Sequence, residues 1–255
     1  MGIEWDVFNL STEVLETIFC TCKNLKHLDI PYGPYDVAKI PLKKWINFQN
    51  LQHLGFACIM MPDLANTIVE CLSSINGEPL FSPSVLDEIS KLQCLEHLNL
   101  SFLENLRDST IIAIANNCKN LKSLDIEGCN TITKTALDAL TNLKNLQKLN
   151  VGCLDIITDS FLMKLKGLKE LNCNECKKLT DAGIIQFIKN NSDLEKISVS
   201  GIDNITNDMV IGADQATKNR TNGIILYITE CSLLITEASK SIITSQWLVV
   251  ESIKL

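Results

Sequence analysis

Residues 118 to 143 read CKNLKSLDIEGCNTITKTALDALTNL. Leu124 and Ile126 alternate with Ser123 and Asp125. That period of two sends one set of side chains into a core and the other out of it, as in a strand. Further on, Ile132, Ala136, Leu137 and Leu140 recur at helical spacing, which predicts a short helix. Thr133 stands just before it, where a hydroxyl can accept from the first free backbone N–H groups. One unit of about 25 residues therefore predicts a strand, a bend and a helix.

The unit recurs along the chain. Counting the first strand leucine as position 0, copies begin at Leu25, Leu51, Leu95, Leu121, Leu146, Leu168, Leu194 and Gly223, with a ninth at Val250. Each copy carries an aliphatic residue at position 3, Ile197, Leu226 and Ile253 among them. Steps run from 22 to 29 residues, apart from one of 44. Self-similarity at this period marks a solenoid, because a unit this small buries its apolar side only against its neighbours. The expected fold class is α/β, a leucine-rich-repeat solenoid or horseshoe with a parallel sheet on the concave face and helices on the convex face.

The same counting predicts a single leucine-rich-repeat domain over residues 1–255, with about nine repeats and truncated ends. Residues 59–94 read as a degenerate or inserted segment, two helical stretches around an Asn-Gly-Glu-Pro turn. Pro31, Pro34 and Pro41 predict an irregular outer arm in one early repeat. Leu10, Ser11, Val14, Leu15 and Ile18 align with Ile132, Thr133, Ala136, Leu137 and Leu140, so the first helix already belongs to the array.

Composition narrows the function classes. A net charge of −7 argues against a general nucleic-acid binder, which needs a basic surface. No window of ~18 unbroken apolar residues predicts a membrane span. The first residues carry neither the basic segment nor the apolar core of a signal peptide. Of the 11 cysteines, Cys58, Cys129, Cys153, Cys176 and Cys231 fall at or beside position 8, while Cys94 and Cys118 precede strands. Cysteines at repeat positions read as small buried hydrophobes in a reducing compartment, the cytosol or the nucleus.

Chemistry-bearing constellations are few. His27, His53 and His97 all occupy position 2, on the outward strand face. Neighbouring strands lie ~4.8 Å apart, so His27 and His53 are expected almost in contact. His97 is expected one strand further off, across the inserted segment. Repeat surface chemistry accounts for all three, and no metal site is assigned. Cys173 and Cys176 form a lone Cys-x-x-Cys at core positions. The chain has no Gly-rich phosphate loop, HExxH or Gly-x-Ser-x-Gly. No catalytic residue and no cofactor are assigned, and the chain does not read as an enzyme.

The exposed sheet face remains, at positions 1, 2 and 4. It begins with Lys26, His27, Asp29 and His53, then Glu96, His97 and Asn99. It continues with Lys122, Asp125, Lys148 and Asn150, then Lys169, Glu170 and Asn172. Glu195, Lys196 and Tyr227 complete it. Such a mixed polar face is what a concave protein-binding surface presents. Lys122, Lys148, Lys169 and Lys196 are expected to offer charge pairing to a protein partner.

CKNLKSLDIEGCNTITKTALDALTN and CKKLTDAGIIQFIKNNSDLEKISVSG resemble the cysteine-containing class of leucine-rich repeat. The chain thereby resembles the repeat region of F-box/LRR proteins and of their F-box-less relatives. Leu10 to Phe19 (LSTEVLETIF) echoes the opening of an F-box, with Ser11 in place of proline, but the repeat strand at Leu25 leaves no room for its later helices. The resemblance implies recognition of a protein substrate for an SCF-type cullin–RING ubiquitin ligase. It implies a Skp-type adaptor and a cullin as partners if an F-box lies outside this chain or at its start. The alternative is a leucine-rich-repeat scaffold with no ubiquitin role.

Overall fold

The computed structural model describes residues 2–3, 12–31, 48–57, 88–103, 105–227 and 243–251. Among these, ten parallel strands lie in one sheet in strict sequence order. They are β1 (Gly2–Ile3), β2 (His27–Pro31), β3 (His53–Ala57), β4 (His97–Asn99) and β5 (Ser123–Asp125). The rest are β6 (Lys148–Asn150), β7 (Glu170–Asn172), β8 (Lys196–Ser198), β9 (Ile224–Tyr227) and β10 (Leu248–Glu251). The described helices are α1 (Thr12–Thr21), α2 (Asp108–Asn117), α3 (Lys134–Leu140), α4 (Asp159–Leu162), α5 (Asp181–Asn190) and α6 (Asn207–Thr217). This is a leucine-rich-repeat solenoid, strands on one face and helices on the other.

The core is a stack of identical positions. Leu28, Leu54, Leu98, Leu124, Leu149, Leu171, Ile197 and Leu226 are opposite one another strand by strand, and each is buried. Each strand is only three to five residues long from β2 to β8, too short to stand without its neighbours. The ladder therefore extends beyond the strands. At position 1 and position 2 both N–H groups donate to one carbonyl of the preceding repeat, as Lys122 and Ser123 do to Glu96 O (2.7 and 2.9 Å). After the strand, positions 5 and 7 donate forward, as Ile126 does to Asn150 O and Gly128 to Gly152 O.

Position 7 turns the chain out of the sheet. Phe102, Gly128, Cys153, Glu175 and Gly201 all hold that place, and all five have φ between 59° and 69°. The next residue, where it is cysteine, points inward: Cys129 Sγ donates to Leu100 O at 3.0 Å and Cys176 Sγ to Val151 O at 3.2 Å. A thiol is small enough to fill this corner and still satisfies a carbonyl of the previous repeat.

Two expectations are corrected. β10 pairs with β9 so that Val250 lies opposite Leu226 at position 3. The last copy thus starts at Trp247, not Val250. His53 pairs directly with His97, so His97 lies one strand on from His53, as expected. Cys20 and Cys94 are exposed rather than buried, and Cys22 and Cys153 are half-buried. Cys94 occupies position −1, where Asn120 and Asn145 sit at the surface in other repeats and donate to carbonyls of the repeat before (3.1 and 2.9 Å). Helix α1 leads straight into β2, as a repeat helix does. The proline-bearing arm at 32–47, the segment 58–87 and Cys231 lie outside the described residues.

Candidate protein-binding face

The concave face is built from positions 2 and 4, which point away from the leucine stack. Position 1 lies just ahead of each strand, at the rim. Side chains at position 4 turn back on their own backbone. Asn99 Oδ1 accepts from Ser101 N (2.8 Å), Asp125 Oδ1 from Glu127 N (3.0 Å), Asn150 Oδ1 from Gly152 N (3.1 Å) and Asn172 Oδ1 from Asn174 N (3.0 Å). These short polar residues satisfy the N–H groups left where the strand ends. Asn150 Nδ2 also donates to Asp125 Oδ2 (3.0 Å) and Glu127 Oε2 (2.8 Å). Burial pushes the Asp125 carboxyl up from its ordinary pKa, opposed by the bonds from Glu127 N and Asn150. Position 4 therefore shapes the face as much as it offers contacts.

Most charges on the face are paired across strands. Lys122 meets Glu96 at 2.6 Å, Lys148 meets Glu170 at 2.7 Å and Lys169 meets Glu195 at 3.1 Å. Adjacent repeats bring these groups within about 5 Å, so opposite charges at equal positions find each other. Lys122 holds the Glu96 carboxyl below its ordinary pKa, against a smaller opposing effect of burial. Among the described residues Lys196 is exposed and has no carboxylate within ion-pair distance.

The histidines form a column. His27 and His53 stack with ring centroids 5.8 Å apart, and His53 and His97 lie 5.9 Å apart, tilted by 37°. His53 Nε2 is 2.9 Å from Asp29 Oδ1. Gly55 makes that contact possible, because a Cβ there would stand 2.1 Å from the same oxygen. Burial lowers the pKa of His97, helped by the neighbouring His53.

A shallow depression of 390 Å³ lies in the concave face between β5 and β9. Asp125, Lys148, Asn150, Glu170, Asn172, Lys196 and Tyr227 line it, together with Ser123, Asn174 and Ser198. Seven of the sequence-selected residues thus meet in one hollow. Lys26, His27, Asp29, His53, Glu96, His97, Asn99, Lys122, Lys169 and Glu195 lie outside it, towards the first repeats or on the rim. Asn174, not selected from the sequence, belongs to it: Ser198 Oγ donates to Asn174 Oδ1 at 2.6 Å.

Five of the described thiols are poor nucleophiles. Burial pushes Cys118 and Cys153 up to about 11 and Cys129 and Cys176 up to about 12, with Cys173 also well above an ordinary thiol. A thiol in that range carries almost no thiolate at neutral pH.

No family model matches the chain, and no curated protein matches it. Solved structures share its fold. The chain is similar to a structure described as the crystal structure of the Rad7 and Elc1 complex in yeast, at 18% identity with a TM-score of 0.59, covering 96% of this chain and 71% of that one. It is also similar to an internalin, InlF, from Listeria monocytogenes, at 19% identity with a TM-score of 0.47, covering 94% and 71%.

Proposed function

We propose that this chain is a protein-binding module whose partner docks on the concave strand face, and that it recognises substrates for an SCF-type cullin–RING ubiquitin ligase. The hollow between β5 and β9 carries the first half of that reading. Its floor is a rigid, fully paired sheet, and side chains of five consecutive repeats converge on it. A preorganised surface of this kind spends little free energy on ordering itself when a partner arrives. The resemblance of its cysteine-bearing repeats to those of F-box/LRR proteins supports the second half. So does the structural likeness to Rad7, solved in complex with Elc1.

Affinity capture from cell extract, read by mass spectrometry, separates the readings. Recovery of a Skp-type adaptor and a cullin with the substrate is the expected result. Reproducible partners with neither adaptor nor cullin, recovered also with the full gene product, would replace the ligase reading by a scaffold without a ubiquitin role.

A further inference from the structure

Position 2 changes character along the solenoid. It carries His27, His53 and His97 on β2 to β4, then Lys148, Glu170 and Lys196 on β6 to β8. On β9 and β10 it carries Ile225 and Val249, which are opposite each other in the ladder. Val249 is 49% exposed, a large aliphatic side chain on the open side of the sheet. Tyr227, half-buried, lies in the next column, beside Ser198. Lys196 pairs in register with Ile225 and so borders this apolar end, while the exposed Glu251 lies at its far side, opposite Tyr227. Its neighbour on the other side, Glu170, is engaged by Lys148 at 2.7 Å.

We infer that the β8–β10 end of the concave face takes an extended segment of a partner protein, which places a carboxylate on Lys196 and an apolar side chain on Ile225, Tyr227 and Val249. This rests on the concave face being the docking face. Charge complementarity decides the chemistry. A carboxylate reaching Lys122, Lys148 or Lys169 must displace an existing ion pair, whereas at Lys196 it displaces only water. A basic segment would set like charges together, and a wholly apolar one would cover the ammonium without a partner, which costs free energy. Contact with Ile225, Tyr227 and Val249 supplies the apolar part of the affinity. Lys196 and Val249 are two strand spacings apart, about 10 Å. An extended chain crossing the strands covers that in about three residues. The segment should therefore carry an acidic residue with an apolar one two to three positions away.

Selection of random 12-residue peptides against the full chain tests this. Enriched peptides are resynthesised with fluorescein and titrated by anisotropy against the wild type, K196E, K196R, V249D, K148E, M163D and I211D, each checked by circular dichroism. All the altered positions are exposed, so folded variants are expected. The inference expects an acidic residue two to three positions from an apolar one, about tenfold or greater weakening by K196E and by V249D, and retention by K196R. Enrichment of basic peptides, binding indifferent to K196E, or no enriched peptide at all would overturn it. Peptides weakened by K148E but not by K196E would overturn this inference and leave the concave face as the docking face. Peptides weakened only by M163D or I211D on the helical side would overturn both. Self-association abolished by V249D, seen by sedimentation, would assign the patch to a second copy of the chain and also overturn it.

Discussion

Gly128 and Gly201 hold the same place in their repeats as Phe102, Cys153 and Glu175, and all five are left-handed. The requirement is set by the turn out of the sheet, and side-chain chemistry is secondary to it. Two glycines at one repeat position were the signal in the sequence; three ordinary residues at the same place concealed it. Gly128 carries a second constraint, since a Cβ there would stand 2.4 Å from the Phe102 ring. Gly128→Ala should destabilise by about 2 kcal/mol in urea unfolding, from backbone strain plus the clash. Part of that loss should return when Phe102 is also shortened to alanine. A neutral effect in the Phe102 background and in wild type alike would remove the constraint.

His97 shows another property that the sequence hid. Its pKa is lowered in the fold by burial first and by His53 second, with Glu96 opposing and Lys122 and Lys148 reinforcing. Asp29, at 2.9 Å from His53, is the other acid facing the column. A lowered folded pKa means that the unfolded chain binds more protons in that range. Stability is then retained above the ordinary histidine pKa of about 6.5 and declines as pH falls below it. Thermal unfolding followed from pH 7.5 to 5 should show this decline, and His97→Gln should flatten it. An unchanged slope in the variant would assign the pH dependence to other groups.

At the scale of the elements, helix starts are tied together from repeat to repeat. Thr180 N and Oγ1 donate to Asp159 at 3.1 and 2.7 Å, and Thr206 N and Oγ1 donate to Asp181 at 2.8 and 2.6 Å. Thr133 binds Asp108 in the same way. Each aspartate opens one helix while accepting from the threonine that caps the next. Thr158 lacks the rung, because Lys134 stands where the aspartate would be; its hydroxyl bonds Ser160 Oγ instead, at 2.9 Å. Thr133 was legible in the sequence as a cap, but the bond between repeats was not, since it joins residues 21 to 25 apart. Lys134→Asp should complete the series and stabilise by about 1 kcal/mol, or ~2–4 °C in Tm. Asp159→Ala should cost a similar amount. If Lys134→Asp lowers Tm, the rung is not worth the lost attraction between Lys134 and Asp138.

The elements themselves were legible because the leucine stack repeats at fixed offsets. The register of the last strand was not. Leu248, Val249 and Val250 are apolar in succession, so the period of two has no phase there. Val250, Ile253 and Leu255 match the consensus as well as Trp247 and Val250 do, and only the pairing with β9 decides between them.

Across the whole molecule, the sheet, its order and its outward polar columns could be read from one chain. Which of those outward groups are free could not, because pairing joins neighbouring repeats. Three of the four lysines assigned to a partner already hold carboxylates, which is why the proposed docking is put at Lys196 and the apolar end. In the proposed function, partners dock on the strand face. Hydroxyl-radical footprinting of the chain alone and with a captured partner tests this, because reporters lie on both faces: exposed Val249 and half-buried Tyr227 on the strands, exposed Met163 and Ile211 on the helical side. Docking on the strands should reduce oxidation at Val249 and Tyr227 and leave Met163 and Ile211 unchanged; protection of Met163 and Ile211 with Val249 and Tyr227 as reactive as before would place the partner on the helical side instead.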